Sequence, residues 1–116
     1  MLNYIFIPCS YVRVDYHNEE YLERLADFCR ENRIKLTLLI TTVPEETLEM
    51  YRDSLKEQNE YFGKLAERFE LDFIDFNFET LQGFDRSIEG YVDYEGHMSG
   101  ETAEAFSERL GEYLRE

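Results

Sequence analysis

The sequence predicts an α/β protein, a three-layer α/β/α domain on a partial parallel sheet, from three observations. Strand-like and helix-like segments follow one another as strand, helix, strand, helix, strand, helix. The middle strand-like run, Ile34 to Thr42, is apolar or β-branched at nearly every position, the pattern of a strand covered by helices on both faces. A chain of 116 residues has room for one core, so residues 1–116 are expected to form a single domain.

The first element is a β-prone run, Asn3 to Ile7, which stops at Pro8. A second β-branched and aromatic patch, Tyr11 to Tyr16, either extends it or pairs with it as a hairpin. Asn18 is placed to cap a helix that ends near Asn32 and turns Tyr21, Leu22, Leu25, Ala26, Phe28 and Cys29 to one face. After the central strand, Pro44 suits a first helical turn. Leu48, Tyr51, Leu55, Gln58, Phe62, Leu65 and Phe69 then repeat at three and four residues, which predicts one long helix with Gly63 as its weak point. Leu71 to Phe76 reads as a third strand, and the roughly twenty residues up to His97 carry three glycines and no period. Ser99 is the expected cap of a last helix, Gly100 to Leu114, with Ala103, Phe106, Leu110 and Leu114 inward. Parallel strands joined in this way place the loops after Ile7, Thr41 and Phe76 on one sheet edge, where ligands of such folds sit.

Composition narrows the function classes. A content of 43% hydrophobic and 16% aromatic residues is too apolar for a disordered chain. A net charge of -14 repels polyanions over a screening length of roughly 8 Å, so no nucleic-acid or membrane-surface partner is expected. The opening MLNYIFIPCSY has no basic start and too short an apolar run for a signal or a span, and the chain as written is expected to be cytoplasmic. Cys9 and Cys29 match no zinc or CxxC spacing, and Cys29 belongs to a core stripe. No phosphate-cradling glycine loop follows a strand and no cysteine or carboxylate spacing marks a metal cage, so neither a cofactor nor a metal is expected.

The chemistry concentrates in Tyr91 to Phe106, YVDYEGHMSGETAEAF, where Asp93, Glu95 and His97 stand just before a helix start. A carboxylate that holds one ring nitrogen of a histidine fixes its tautomer and stabilises the imidazolium, which is what a general base requires. The bland alternative is a solvated histidine in an acidic loop. His17, between Asp15 and Glu19, reads as a surface residue near a helix start. Asp72 and Asp75 alternate along a strand but have no glycosidase or metal-cage spacing. The tyrosines of 91–94 are expected to pack a lid or line a pocket.

The ending HMSGETAEAFSERLGEYL resembles that of bacterial SGNH-type (GDSL-like) hydrolases, including relatives of the D-alanyl transfer protein of teichoic acid synthesis. Those proteins end in D-x-x-H-[LM]-N-x-x-G-A followed by a helix. Here His97 matches the base, Met98 the apolar residue, Ser99 the asparagine, Thr102 the glycine and Ala103 the alanine. Upstream, NEEYLERLADFCRENRIKLTLLITTVP is similar to the family's helix, central strand and Thr-Pro turn, and LDFIDFNF to its next strand. The likeness covers roughly residues 18 to 114 and implies an SGNH-like or flavodoxin-like fold, an ester or O-acyl substrate, and a parent family that can be extracytoplasmic.

Two departures shape what the resemblance implies. The family's aspartate lies three residues before the histidine, a position held here by Tyr94, so Asp93 is the expected orienting carboxylate with Glu95 as the fallback. The G-D-S nucleophile block and the Gly and Asn oxyanion blocks have no counterpart in these 116 residues. The expectation is therefore a truncated or degenerate hydrolase-like domain that keeps the base and has little activity alone. The first alternative is a small complete hydrolase that uses Ser10 or Cys9 with His97. The second is a noncatalytic module that forms a homodimer or binds a partner to cover an open sheet edge.

Overall fold

Five successive residues of the central strand, Leu36 to Ile40, are buried, so this strand is covered on both faces. In the computed structural model, which describes the backbone of residues 3–8 and 16–115 and the side chains of 19–115, it is β2, Ile34–Ile40. The described residues combine helices with a three-stranded sheet of order β1-β2-β3, in which β1 is Asn3–Pro8 and β3 is Asp72–Asp75. β1 runs parallel to β2 in a register that sets Asn3 against Ile34 and Pro8 against Leu39. The crossover between them contains helix α1, Tyr16–Glu31. Among the described residues the order leaves β1 and β3 at the sheet edges.

The chain divides into two compact units, Met1–Ile40 with Gln58–Ile74, and Thr41–Glu57 with Asp75–Glu116. In the first unit, Leu36, Leu38 and Ile40 share one face of β2 and form a core with Ala26 and Cys29 of α1 and with Phe62, Leu65, Ala66 and Phe69. The stripe on α1 is narrower than its sequence suggests: Leu22 and Leu25 border the core, whereas Tyr21 is 66% and Phe28 53% exposed. These two residues lie on the margin of a face that Leu22, Leu25, Ala26 and Cys29 complete at helical spacing. The helix also starts at Tyr16, two residues ahead of Asn18, the expected cap. Tyr16 is therefore helical, and the rest of the patch from Tyr11 lies outside the described residues.

The single long helix expected after Pro44 is two helices, α2, Glu45–Met50, and α3, Arg52–Phe69. They meet at Tyr51, whose φ of -120° and ψ of 29° leave the helical region, and not at Gly63. The bend is held locally. Glu45 N–H donates to Arg86 O at 3.0 Å, and Leu48 and Leu55 belong to one buried cluster with Val43, while Tyr51 between them faces out.

In the second unit, Phe106 of the last helix, α4 (Gly100–Arg115), meets Phe76 and Phe84 edge to face, and Tyr113 meets Phe76. Phe106 is the buried residue of α4; Ala103 and Leu114, expected inward, are exposed. Ser99 stands at the helix start, its Oγ accepting Thr102 N–H at 3.4 Å and donating to Thr102 Oγ1 at 3.0 Å. Among the described residues no helix is long and apolar enough to cross a membrane.

Candidate functional site

The stretch without sequence period contains a small closed hairpin in the second unit. Tyr91 and Met98 form an antiparallel bridge, with Val92 N–H to His97 O at 2.7 Å and Ser99 N–H to Gly90 O at 3.0 Å. The tip turns at Gly96, whose φ of +108° suits glycine, and a Cβ there would stand 3.3 Å from Thr42 O. Two further contacts fix the hairpin to the segment after β2. The buried Tyr91 hydroxyl lies 2.7 Å from Thr42 Oγ1, and Thr47 Oγ1 donates to Tyr94 O at 2.6 Å. Gly90, at the hairpin base, has Thr102 Oγ1 2.5 Å from where a Cβ would stand.

This frame brings Asp93 and His97 together. Asp93 Oδ1 accepts the backbone N–H groups of Glu95, Gly96 and His97 at 2.9, 3.1 and 3.2 Å, and Oδ2 lies 2.5 Å from His97 Nδ1. Partial desolvation alone would raise the Asp93 pKa, but the hydrogen bonds from the His97 side chain and from the His97 and Glu95 backbone outweigh it and hold the carboxyl below the usual aspartate value. The His97 side chain is 69% exposed, and its Nε2 meets no partner among the described residues. Glu95 donates its backbone N–H to Asp93, so the contact to the ring is made by Asp93 and not by the fallback carboxylate. One ligand atom from each of Asp93, Glu95 and His97 lies within 4.8 Å of the others, so the three could also converge on a cation, and exposed acidic groups commonly gather in this way without one.

A second polar centre, which sequence reasoning missed, joins the segments that follow β2 and β3. The Arg86 guanidinium makes five hydrogen bonds, to Val43 O twice, Phe76 O, Asn77 O and Asn77 Oδ1. Burial pushes its pKa down, and the nearby charges of Tyr91, Glu45 and Asp75 oppose that shift. Asn77, 4% exposed, also accepts Val43 N–H on Oδ1 at 2.9 Å, and its own N–H donates to Asp75 Oδ1. Its Nδ2 is buried and has no partner among the described residues. The signal available in the sequence was slight: Arg86 is the lone Lys or Arg between Arg68 and Arg109.

Ser10 and Cys9 lie outside the described residues, and His17 falls in α1 with its side chain outside them. Asp72 pairs with Lys35 at 2.7 Å, while Asp75 is buried in the second unit. Cys29 is buried as expected, and burial raises its thiol pKa. Neither a scan against protein-family models nor searches of curated proteins and of solved structures found a match to the chain.

Proposed function

We propose that the hairpin Tyr91–Met98 carries the general-base half of an acyl-transfer site, in an esterase or O-acyltransferase of SGNH-like three-layer type that is degenerate in its nucleophile. One observation carries the reading. Asp93 spends one carboxylate oxygen on three backbone N–H groups and the other on His97 Nδ1, which leaves Nε2 facing solvent as a proton acceptor. The parallel β1–β2 pair with α1 in its crossover supports the fold part of the proposal, and the D-x-x-x-H-M ending supports its family part. A base without a nucleophile and oxyanion donors supplies little of the rate of acyl transfer, so turnover by these 116 residues is slow.

Hydrolysis of p-nitrophenyl acetate tests this. The expected result is a small steady release of nitrophenolate without a burst, lost in His97→Ala and retained in Cys9→Ala and Ser10→Ala. A rate unchanged in His97→Ala contradicts the base. A burst that disappears in Cys9→Ala or Ser10→Ala replaces the degenerate reading with that of a complete small hydrolase. A second reading, self-association over an open strand, is favoured by the edge positions that β1 and β3 hold among the described residues. Light scattering that gives a dimer mass supports it, and a monomer mass at high concentration rejects it.

A further inference from the structure

Asn77, whose Nδ2 has no partner among the described residues, lines a cavity of about 210 Å³ together with Phe76, Leu81, Phe84 and Arg86, and the exposed Glu79 stands at its rim. The orientation of the amide is forced. Val43 N–H and Arg86 Nη2 both donate to Oδ1, so a flipped amide would set its NH2 against two donors. Among the described residues Nδ2 is therefore a donor left without an acceptor, in a residue that is 4% exposed, a state that proteins rarely tolerate.

We propose that this cavity is a binding site for a small neutral carbonyl compound with an apolar body, whose oxygen accepts from Asn77 Nδ2. Three observations select that chemistry. All three guanidinium nitrogens of Arg86 donate to protein oxygens, in five hydrogen bonds, so Arg86 has no ready fork to offer a carboxylate. Glu79 at the rim and a net charge of -14 disfavour an anion. Phe76, Leu81 and Phe84 supply an apolar wall. The volume is below the roughly 300–1,000 Å³ of pockets for drug-sized ligands, which limits the body to a single ring or a short branched chain. Nδ2 exposes less than 1 Å² as the cavity stands, so the proposal requires its surroundings to shift as the oxygen arrives. The site is independent of the reading of His97.

Titration of the intact ¹⁵N-labelled chain with acetophenone, ethylbenzene and benzoate tests the proposal. Acetophenone is expected to move the Asn77 side-chain NH2 resonances and to bind about fivefold to tenfold more tightly than ethylbenzene, which has no acceptor. Benzoate is expected to bind no more tightly than acetophenone. Asn77→Asp keeps an acceptor for Val43 and Arg86 but removes the donor, and should abolish the preference for acetophenone while retaining a folded spectrum. Asn77 NH2 signals that stay still, equal affinity for ethylbenzene, tighter binding of benzoate, or a long-lived water at Nδ2 that no ligand displaces would each overturn it.

Discussion

Asp93 touches His97 twice, once at the ring through Oδ2 and once at the backbone N–H through Oδ1, so one carboxylate sets both the side-chain tautomer and the turn that carries it. This double attachment makes the hairpin acid-sensitive. The Asp93 pKa is depressed in the folded chain, so its contribution is fully present above the unfolded value of about 3.9 and is lost as pH falls through the lower folded value. The amide resonances of Glu95, Gly96 and His97 are expected to titrate together below pH 4, followed by NMR, and Asp93→Asn should remove that transition.

Thr47 holds the hairpin from outside through its hydroxyl on Tyr94 O. Thr47→Val removes that bond at nearly constant volume and should cost about 1 kcal/mol in urea unfolding, while Thr47→Ser retains most of it. Amide exchange at Tyr94 to His97 should quicken in the valine variant.

Arg86 is expected to be among the costliest substitutions in the second unit. Arg86→Gln removes most of five hydrogen bonds to part-buried acceptors and should destabilise the chain by roughly 3 kcal/mol in chemical denaturation. Arg86→Lys should rescue little of this, because a point ammonium cannot reproduce the planar fork.

Gly90 is required by its neighbour. A methyl at this position meets Thr102 Oγ1 at 2.5 Å, so Gly90→Ala should cost about 1–3 kcal/mol. Pairing it with Thr102→Ala, which removes that oxygen, should recover part of the loss, and a double-mutant cycle of melting temperatures reads the coupling.

Features encoded by neighbours in sequence were legible before the structure, and those that need distant partners were not. The nearly continuous run Ile34 to Ile40 announced a strand covered on both faces because burial on both sides removes the need for polar alternation. Asp93 and His97 were found because their four-residue separation lies within one turn. The bend at Tyr51 was hidden by an apolar repeat that continues through it, and the outward Tyr51 shows that the repeat overstates what is buried. The Tyr91–Met98 hairpin was obscured by its length, too short for an alternating pattern. Asn77 and Arg86 are nine residues apart with no periodic relation, and their role arises from carbonyls of Val43 and Phe76 that no local pattern reveals.

The most direct test of the central claim is the ¹⁵N chemical-shift pair of the His97 ring near pH 8, compared between the wild-type chain and Asp93→Asn. A base held by Asp93 carries its proton on Nδ1, so Nε2 should show the shift of an unprotonated acceptor, and the asparagine variant should return the ring toward the mixed tautomers of free imidazole. An Nε2–H tautomer in the wild-type chain, or one unaffected by Asp93→Asn, would contradict it.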